Sequence, residues 1–98
     1  MTINKTQNGN ELTIALEGRL DTATAPELEA ELNKSLDGAA ALVFDFGKLE
    51  YISSAGLRVL LSAQKIMDRR GAMKLRGVND TIMEIFEVTG FTDILAIE

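Results

Sequence analysis

Apolar side chains at Leu12, Ile14 and Leu16 are spaced two apart by Glu11, Thr13, Ala15 and Glu17. A period of two predicts a half-buried strand. Ile3 to Gln7 reads as an earlier strand, and Asn8-Gly9-Asn10 is a turn signal between them, so the pair forms an antiparallel hairpin. Gly18 marks a bend or bulge after it. The period then changes. Leu28, Leu32 and Leu36 recur every four residues, as on one face of a helix. Thr24-Ala25-Pro26-Glu27 is its start: Thr24 as cap, Pro26 in the first turn, Glu27 where a capping box sets its carboxylate. Asp37-Gly38 closes it. Ala41 to Phe46 is an apolar run suited to a third strand buried on both faces, and Gly47 to Glu50 reads as a loop.

After that loop comes Tyr51-Ile52-Ser53-Ser54-Ala55-Gly56, and helical spacing resumes at Leu57, Leu60, Leu61, Ala63, Ile66 and Met67. The second helix is predicted from Ser54 or Ala55 to Asp68 or Arg70, stopped by Gly71. Met73 to Arg76 alternates as a fourth strand. Asn79-Asp80 caps a third helix whose apolar positions are Ile82, Ile85, Phe86 and Val88, with Gly90 as its stop. Ile94, Ala96 and Ile97 predict a short last strand. The order β-β-α-β-α-β-α-β predicts an α/β fold with a mixed sheet and packed helices. At 98 residues it is one domain, 1–98. Periodicity alone leaves the strand order open.

Composition narrows the function classes. The net charge of -5 argues against nucleic acid as the main partner, because a phosphate backbone demands a basic surface. The chain has no histidine, the commonest general base and zinc ligand, and no cysteine for disulfides or thiolate metal sites. No apolar run reaches bilayer-spanning length, and the first residues lack the layout of a secretion signal, so the expected setting is cytoplasmic.

The candidate chemistry lies at Ser53 and Ser54, where the loop after a buried strand turns into a helix. The plain reading is helix capping, since serine is among the best N-cap residues. Nucleophilic catalysis needs a base beside the hydroxyl, and the stretch does not match the Gly-x-Ser-x-Gly elbow, so no enzyme activity is expected. No phosphate-binding loop with its lysine is present. Asp45 is the one acid in an apolar strand. It could imitate the phospho-accepting aspartate of a receiver domain, but no acidic pair follows the first strands to hold Mg²⁺. Pairing with backbone groups or a nearby cation is the simpler expectation. Met67, Met73 and Met83 read as core filler.

The run Leu42 to Phe46, the stretch Tyr51 to Leu57 and the later Ile85-Phe86-Glu87-Val88-Thr89-Gly90-Phe91 together resemble the STAS domain of bacterial anti-sigma factor antagonists. The resemblance covers nearly the whole chain. It implies that a serine at the loop-to-helix junction is phosphorylated by the anti-sigma factor, itself a serine kinase. The motif places that serine at Ser54, with Ser53 as the second candidate. Unphosphorylated antagonist would bind the anti-sigma factor and free the sigma factor; a serine phosphatase would restore it after modification. The same resemblance implies a partner surface of Ser53, Ser54, Ala55, Gly56 and Arg58, joined by Asp21, Thr22 and Thr24 from the segment before the first helix. It implies no cofactor and no metal, and neither nucleic acid nor membrane insertion. Taken by themselves, Asp21 to Thr24 are turn and cap chemistry. The chain departs from the family in having Ser53 where aspartate often stands, and in stopping at Glu98 where many members add a helix. STAS domains also serve as accessory subunits of lipid transporters and in stress-sensing complexes, which is the alternative function.

Overall fold

The computed structural model describes residues Met1–Glu98. The strands are β1 (Thr2–Asn8), β2 (Glu11–Leu20), β3 (Ala41–Ile52), β4 (Ala72–Arg76) and β5 (Ala96–Ile97). The helices are α1 (Ala25–Ser35), α2 (Ser54–Met67) and α3 (Asp80–Thr89). This is the predicted order, with one unforeseen 3-10 turn at Phe91–Asp93. The sheet runs β1-β2-β3-β4-β5; β1 is antiparallel to β2 and the other neighbours are parallel.

One hydrophobic cluster joins the sheet to all three helices. Leu12, Ile14 and Leu16 of β2 meet Leu28 and Leu32 of α1, Leu60 and Met67 of α2, and Ile82 and Phe86 of α3. The other sheet face is more open: Thr13 and Ala15 are half-buried, while Lys74 and Arg76 are exposed. Val43 alone on that side of β3 is buried, so the run from Ala41 is not covered equally on both faces, as its apolar character suggested.

The segment 47–50 is not a loop. It continues β3, which is 12 residues long. The register against β2 slips twice, between Ala15 and Glu17 and between Gly18 and Arg19. At each slip β3 carries one more residue than β2. The inward positions of β3 are therefore Leu42, Phe44, Phe46, then Leu49, then Ile52, each opposite or beside an inward position of β2. A bulge moves one residue out of the alternation and lets the strand resume with its apolar side still inward. The bend or bulge predicted at Gly18 coincides with the second slip, where Gly18 takes φ 101° and the extra residue lies on β3.

The helix ends divide. In α3 the Asn79 Oδ1 accepts from the Ile82 N–H at 2.8 Å, and its Nδ2 donates to the Leu49 carbonyl at 2.9 Å. Gly90 ends that helix at φ 79°. Thr24 stands at the N-cap of α1, but its hydroxyl does not cap the helix. Ile66 and Val88, assigned to apolar faces, are exposed instead; Ile66 lies at the edge of the buried face of α2, and Val88, two residues after Phe86, turns to the opposite side of α3. Met67 and Met73 are core; Met83 is half-buried.

Candidate functional site

β2 and β3 end side by side. Leu20 pairs with Ile52, and the Ser53 N–H donates to the Leu20 carbonyl at 2.9 Å. The turn leaving β2 and the first turn of α2 are thus neighbours at the C-terminal edge of the parallel strands, where open α/β sheets commonly bring functional residues. Residues 21–24 and 53–58, far apart in sequence, meet there.

The two serines have opposite environments. Ser53 is the N-cap residue of α2, with extended backbone at φ -101°, ψ 177°. Its hydroxyl makes no cap hydrogen bond; the Oγ is buried and without a partner. Capping, the plain reading of this residue, is therefore not realised. Ser54 is the first residue of α2, and it is exposed. No acidic residue occupies that first turn. Its leading N–H groups have no side-chain acceptor and carry partial positive charge. A buried hydroxyl without a partner contributes nothing that a methyl group would lose. Ser53→Ala is accordingly expected to keep or raise the melting temperature. A working cap would instead lose about 1 kcal/mol, a fall of several degrees. Thermal unfolding followed by circular dichroism separates the two.

Gly56 is buried, and a Cβ there would stand 2.7 Å from Ile52 Cγ1 and Leu20 Cγ. Its lack of a side chain lets the first turn of α2 sit directly on the ends of β2 and β3. Ala55 is half-buried and Arg58 exposed. Between α1 and α2 runs an open groove of about 460 Å³, lined among others by Thr22, Pro26, Glu29, Ala55, Arg58 and Ser62. Pro26, Glu29 and Ser62 were not among the expected site residues. Helical spacing turns each of them outward, but only the packing of α1 on α2 brings them to one rim.

Asp21 organises the turn before α1. Its Oδ1 accepts from the N–H groups of Ala23 and Thr24 at 3.0 and 3.1 Å. The Thr24 hydroxyl donates to the Arg19 carbonyl at 2.8 Å and accepts from the Asp21 N–H at 2.9 Å. The Thr24 N–H bond, with lesser help from Ala23, the Thr24 hydroxyl and Arg19, holds the Asp21 carboxyl below the ordinary 3.8. A lowered folded-state value stabilises the turn above the unfolded-state value and loses that effect as pH falls through the folded one. Below about pH 4, the protection of the Ala23 and Thr24 amides, measured against intrinsic exchange, should therefore fall in wild type. In Asp21→Asn that acid-dependent change should vanish.

Arg19, also unforeseen, lies 4.6 Å over the Tyr51 ring, with its Nε 3.8 Å from Asp21 Oδ2. Arg19 and Tyr51 lie far apart in the sequence, which carries no sign of this contact; the β2–β3 pairing of the two residues creates it. Asp45 lies apart from the two serines. Its Oδ1 accepts from the Gly47 N–H at 2.9 Å and its Oδ2 is 3.7 Å from Arg76, the backbone-plus-cation pairing expected of it. Around it no group of three acidic, histidine or cysteine side chains gathers.

The family model described as "Mlab, STAS domain" matches residues 3–96. BtrV of Bordetella bronchiseptica, named among the anti-sigma factor antagonists, is 41% identical over 88% of this chain and 76% of its own length. The anti-sigma-B factor antagonist of Bacillus subtilis is 28% identical over 93% of this chain and 84% of its own. The solved structure of the Bacillus cell fate determinant SpoIIAA in its phosphorylated form superposes with TM-score 0.77 at 18% identity, covering 99% of this chain and 91% of that one. The chain belongs to the STAS-domain family of anti-sigma factor antagonists. These relatives carry the names of regulatory proteins rather than enzymes. No helix is long and apolar enough to cross a membrane.

Proposed function

We propose that this chain is the antagonist in a partner switch, controlled by phosphorylation of Ser54. The observation that carries the choice of residue is the contrast at the start of α2: Ser54 is exposed, whereas the Ser53 Oγ is buried. In the free state the surface around Ser54, Ala55 and Arg58, flanked by Asp21, Thr22 and Thr24, docks on an anti-sigma factor. Ser53 and Gly56 act beneath that surface, setting the height and angle of the helix start. Docking withdraws the anti-sigma factor from its sigma factor.

The anti-sigma factor is itself the kinase and brings a nucleoside triphosphate. The Ser54 oxygen attacks the γ-phosphorus, the bond to the departing nucleoside diphosphate breaks, and the hydroxyl proton leaves to a base of the kinase. The product carries about -1.5 to -2 charges where a neutral hydroxyl stood. The α2 amides, free of any side-chain cap, accommodate it without refolding. A close-packed or acidic partner face does not, and the complex dissociates. A phosphatase restores the switch by directing water at phosphorus, returning the Ser54 hydroxyl and inorganic phosphate. This assigns neither nucleic acid nor membrane as a partner and no cofactor to the chain.

The test is incubation with ATP and the cognate anti-sigma factor, followed by peptide mass spectrometry. An acid-stable phosphate on Ser54 supports the switch. A chain left unmodified, or modified at Ser53, would overturn it and favour an accessory-subunit role on the same fold.

A further inference from the structure

We infer that Arg58 changes partners with the state of Ser54: it is offered to a carboxylate of the docked protein when Ser54 is free, and is captured by the phosphoryl group when Ser54 is modified. This deepens the partner-switch reading and rests on it. Ser54 and Arg58 are four residues apart within α2, so their side chains are neighbours on one face, one turn apart. The anionic member lies toward the N-terminus, the more favourable order for such a pair. Arg58 is exposed and takes part in none of the four ion pairs, whereas Arg19, Arg70 and Arg76 are each held by an aspartate. Arg69, the other unpaired arginine, stands beyond the far end of the same helix.

The charged groups around it leave little competition. Glu29 lies across the groove on α1, outside ion-pair distance, and Asp21 is engaged by its own turn and by Arg19. In a chain of net charge -5, an unpaired guanidinium on the rim of the proposed docking surface is the exception. Arginine is suited to both roles, since its planar fork binds carboxylate and phosphate alike with two parallel hydrogen bonds. Phosphorylation then acts twice: it sets a dianion at the interface and removes from it the cation that had met the partner. The release is larger than charge repulsion alone supplies.

The test uses the full chain with phosphoserine placed co-translationally at position 54, so that it needs no kinase. The phosphate's second ionisation, near pH 6 in a free phosphoserine, is followed by ³¹P NMR. In wild type it should fall about 0.2–0.4 below its value in Arg58→Gln, a gap that shrinks in high salt. Arg58→Lys should lie between them, and Arg19→Gln should match wild type. Arg58→Gln without phosphate should also bind the anti-sigma factor roughly tenfold more weakly, and the further loss on phosphorylation should be smaller than in wild type. A second ionisation unchanged by Arg58→Gln, or a phosphorylation penalty unchanged by it, overturns the inference. Failure of the switch itself would show separately, as absence of phosphate from Ser54 after incubation with the kinase, and leaves the ³¹P result intact.

Discussion

With ATP present, a chain carrying Ser54→Ala is expected to stay bound to its anti-sigma factor kinase, while wild type and Ser53→Ala are released. Removing the exposed hydroxyl deletes the acceptor but not the surface, because Ser54 makes no side-chain hydrogen bond that alanine would lose and lies outside the core. Ser53→Ala removes only a buried oxygen without a partner, so its modification and release should follow wild type. The expected difference is large. A change of roughly 3 kcal/mol in docking weakens binding more than a hundredfold. Immobilised chain, loaded with kinase and washed with ATP, reads this directly as the fraction of kinase retained. Equal release from Ser54→Ala and wild type would mean that the acceptor lies elsewhere.

Gly71→Ala should be the most damaging single methyl group. A Cβ at Gly71 would stand 1.8 Å from the Ala40 carbonyl oxygen and 2.9 Å from its carbon. That oxygen is backbone and also accepts from the Ala72 N–H at 3.3 Å, so it cannot turn aside as a side chain would. The segment entering β3 and the segment entering β4 must separate there. A loss of about 3 kcal/mol or more is expected, at the top of the range for overpacking. For a domain of this size that lowers the melting temperature by roughly 12 °C or more. Gly38→Ala is the comparison: its φ is 81°, but nothing lies within 4 Å of the new Cβ. It should cost only about 1–2 kcal/mol, from conformation alone. Equal melting temperatures for the two variants would contradict the packing argument.

Gly71 also shows where sequence reasoning stopped. As a residue after a helix it reads as a C-terminal stop, and α2 does end before it. Its φ is not positive, however; what requires glycine is Ala40, on a segment distant in the sequence. Close approach of distant segments leaves no local trace. The same holds for 47–50, read as a loop because Gly47, Lys48 and Glu50 break the alternation of β3. The two extra residues are accommodated by slips against β2, and a slip is a property of the pair of strands. By contrast, elements with a strong local signal were legible, the short 3-10 turn at Phe91–Asp93 excepted. The hairpin, the Leu28-Leu32-Leu36 stripe, the Asn79 cap and the Gly90 stop follow from residues within a turn or two of one another.

The site divides in the same way. That Ser53 and Ser54 stand at a strand-to-helix junction was legible from the change of period. Which of them is exposed was not, since that depends on how Gly56 seats the helix start on Leu20 and Ile52. The adjacency of residues 21–24 and 53–58 came from family resemblance; its physical cause is the parallel pairing of β2 with β3 through Leu20 and Ile52. Pro26, Glu29 and Ser62 complete a groove that exists only between two packed helices.

Calorimetric titration of the cognate anti-sigma factor with this chain, once unmodified and once fully phosphorylated at Ser54, puts the whole account at risk. Folded to the same melting temperature within a few degrees, the phosphorylated chain should bind at least a hundred times more weakly. Equal affinity of the two forms, or loss of binding only because the phosphorylated chain has unfolded, would contradict it.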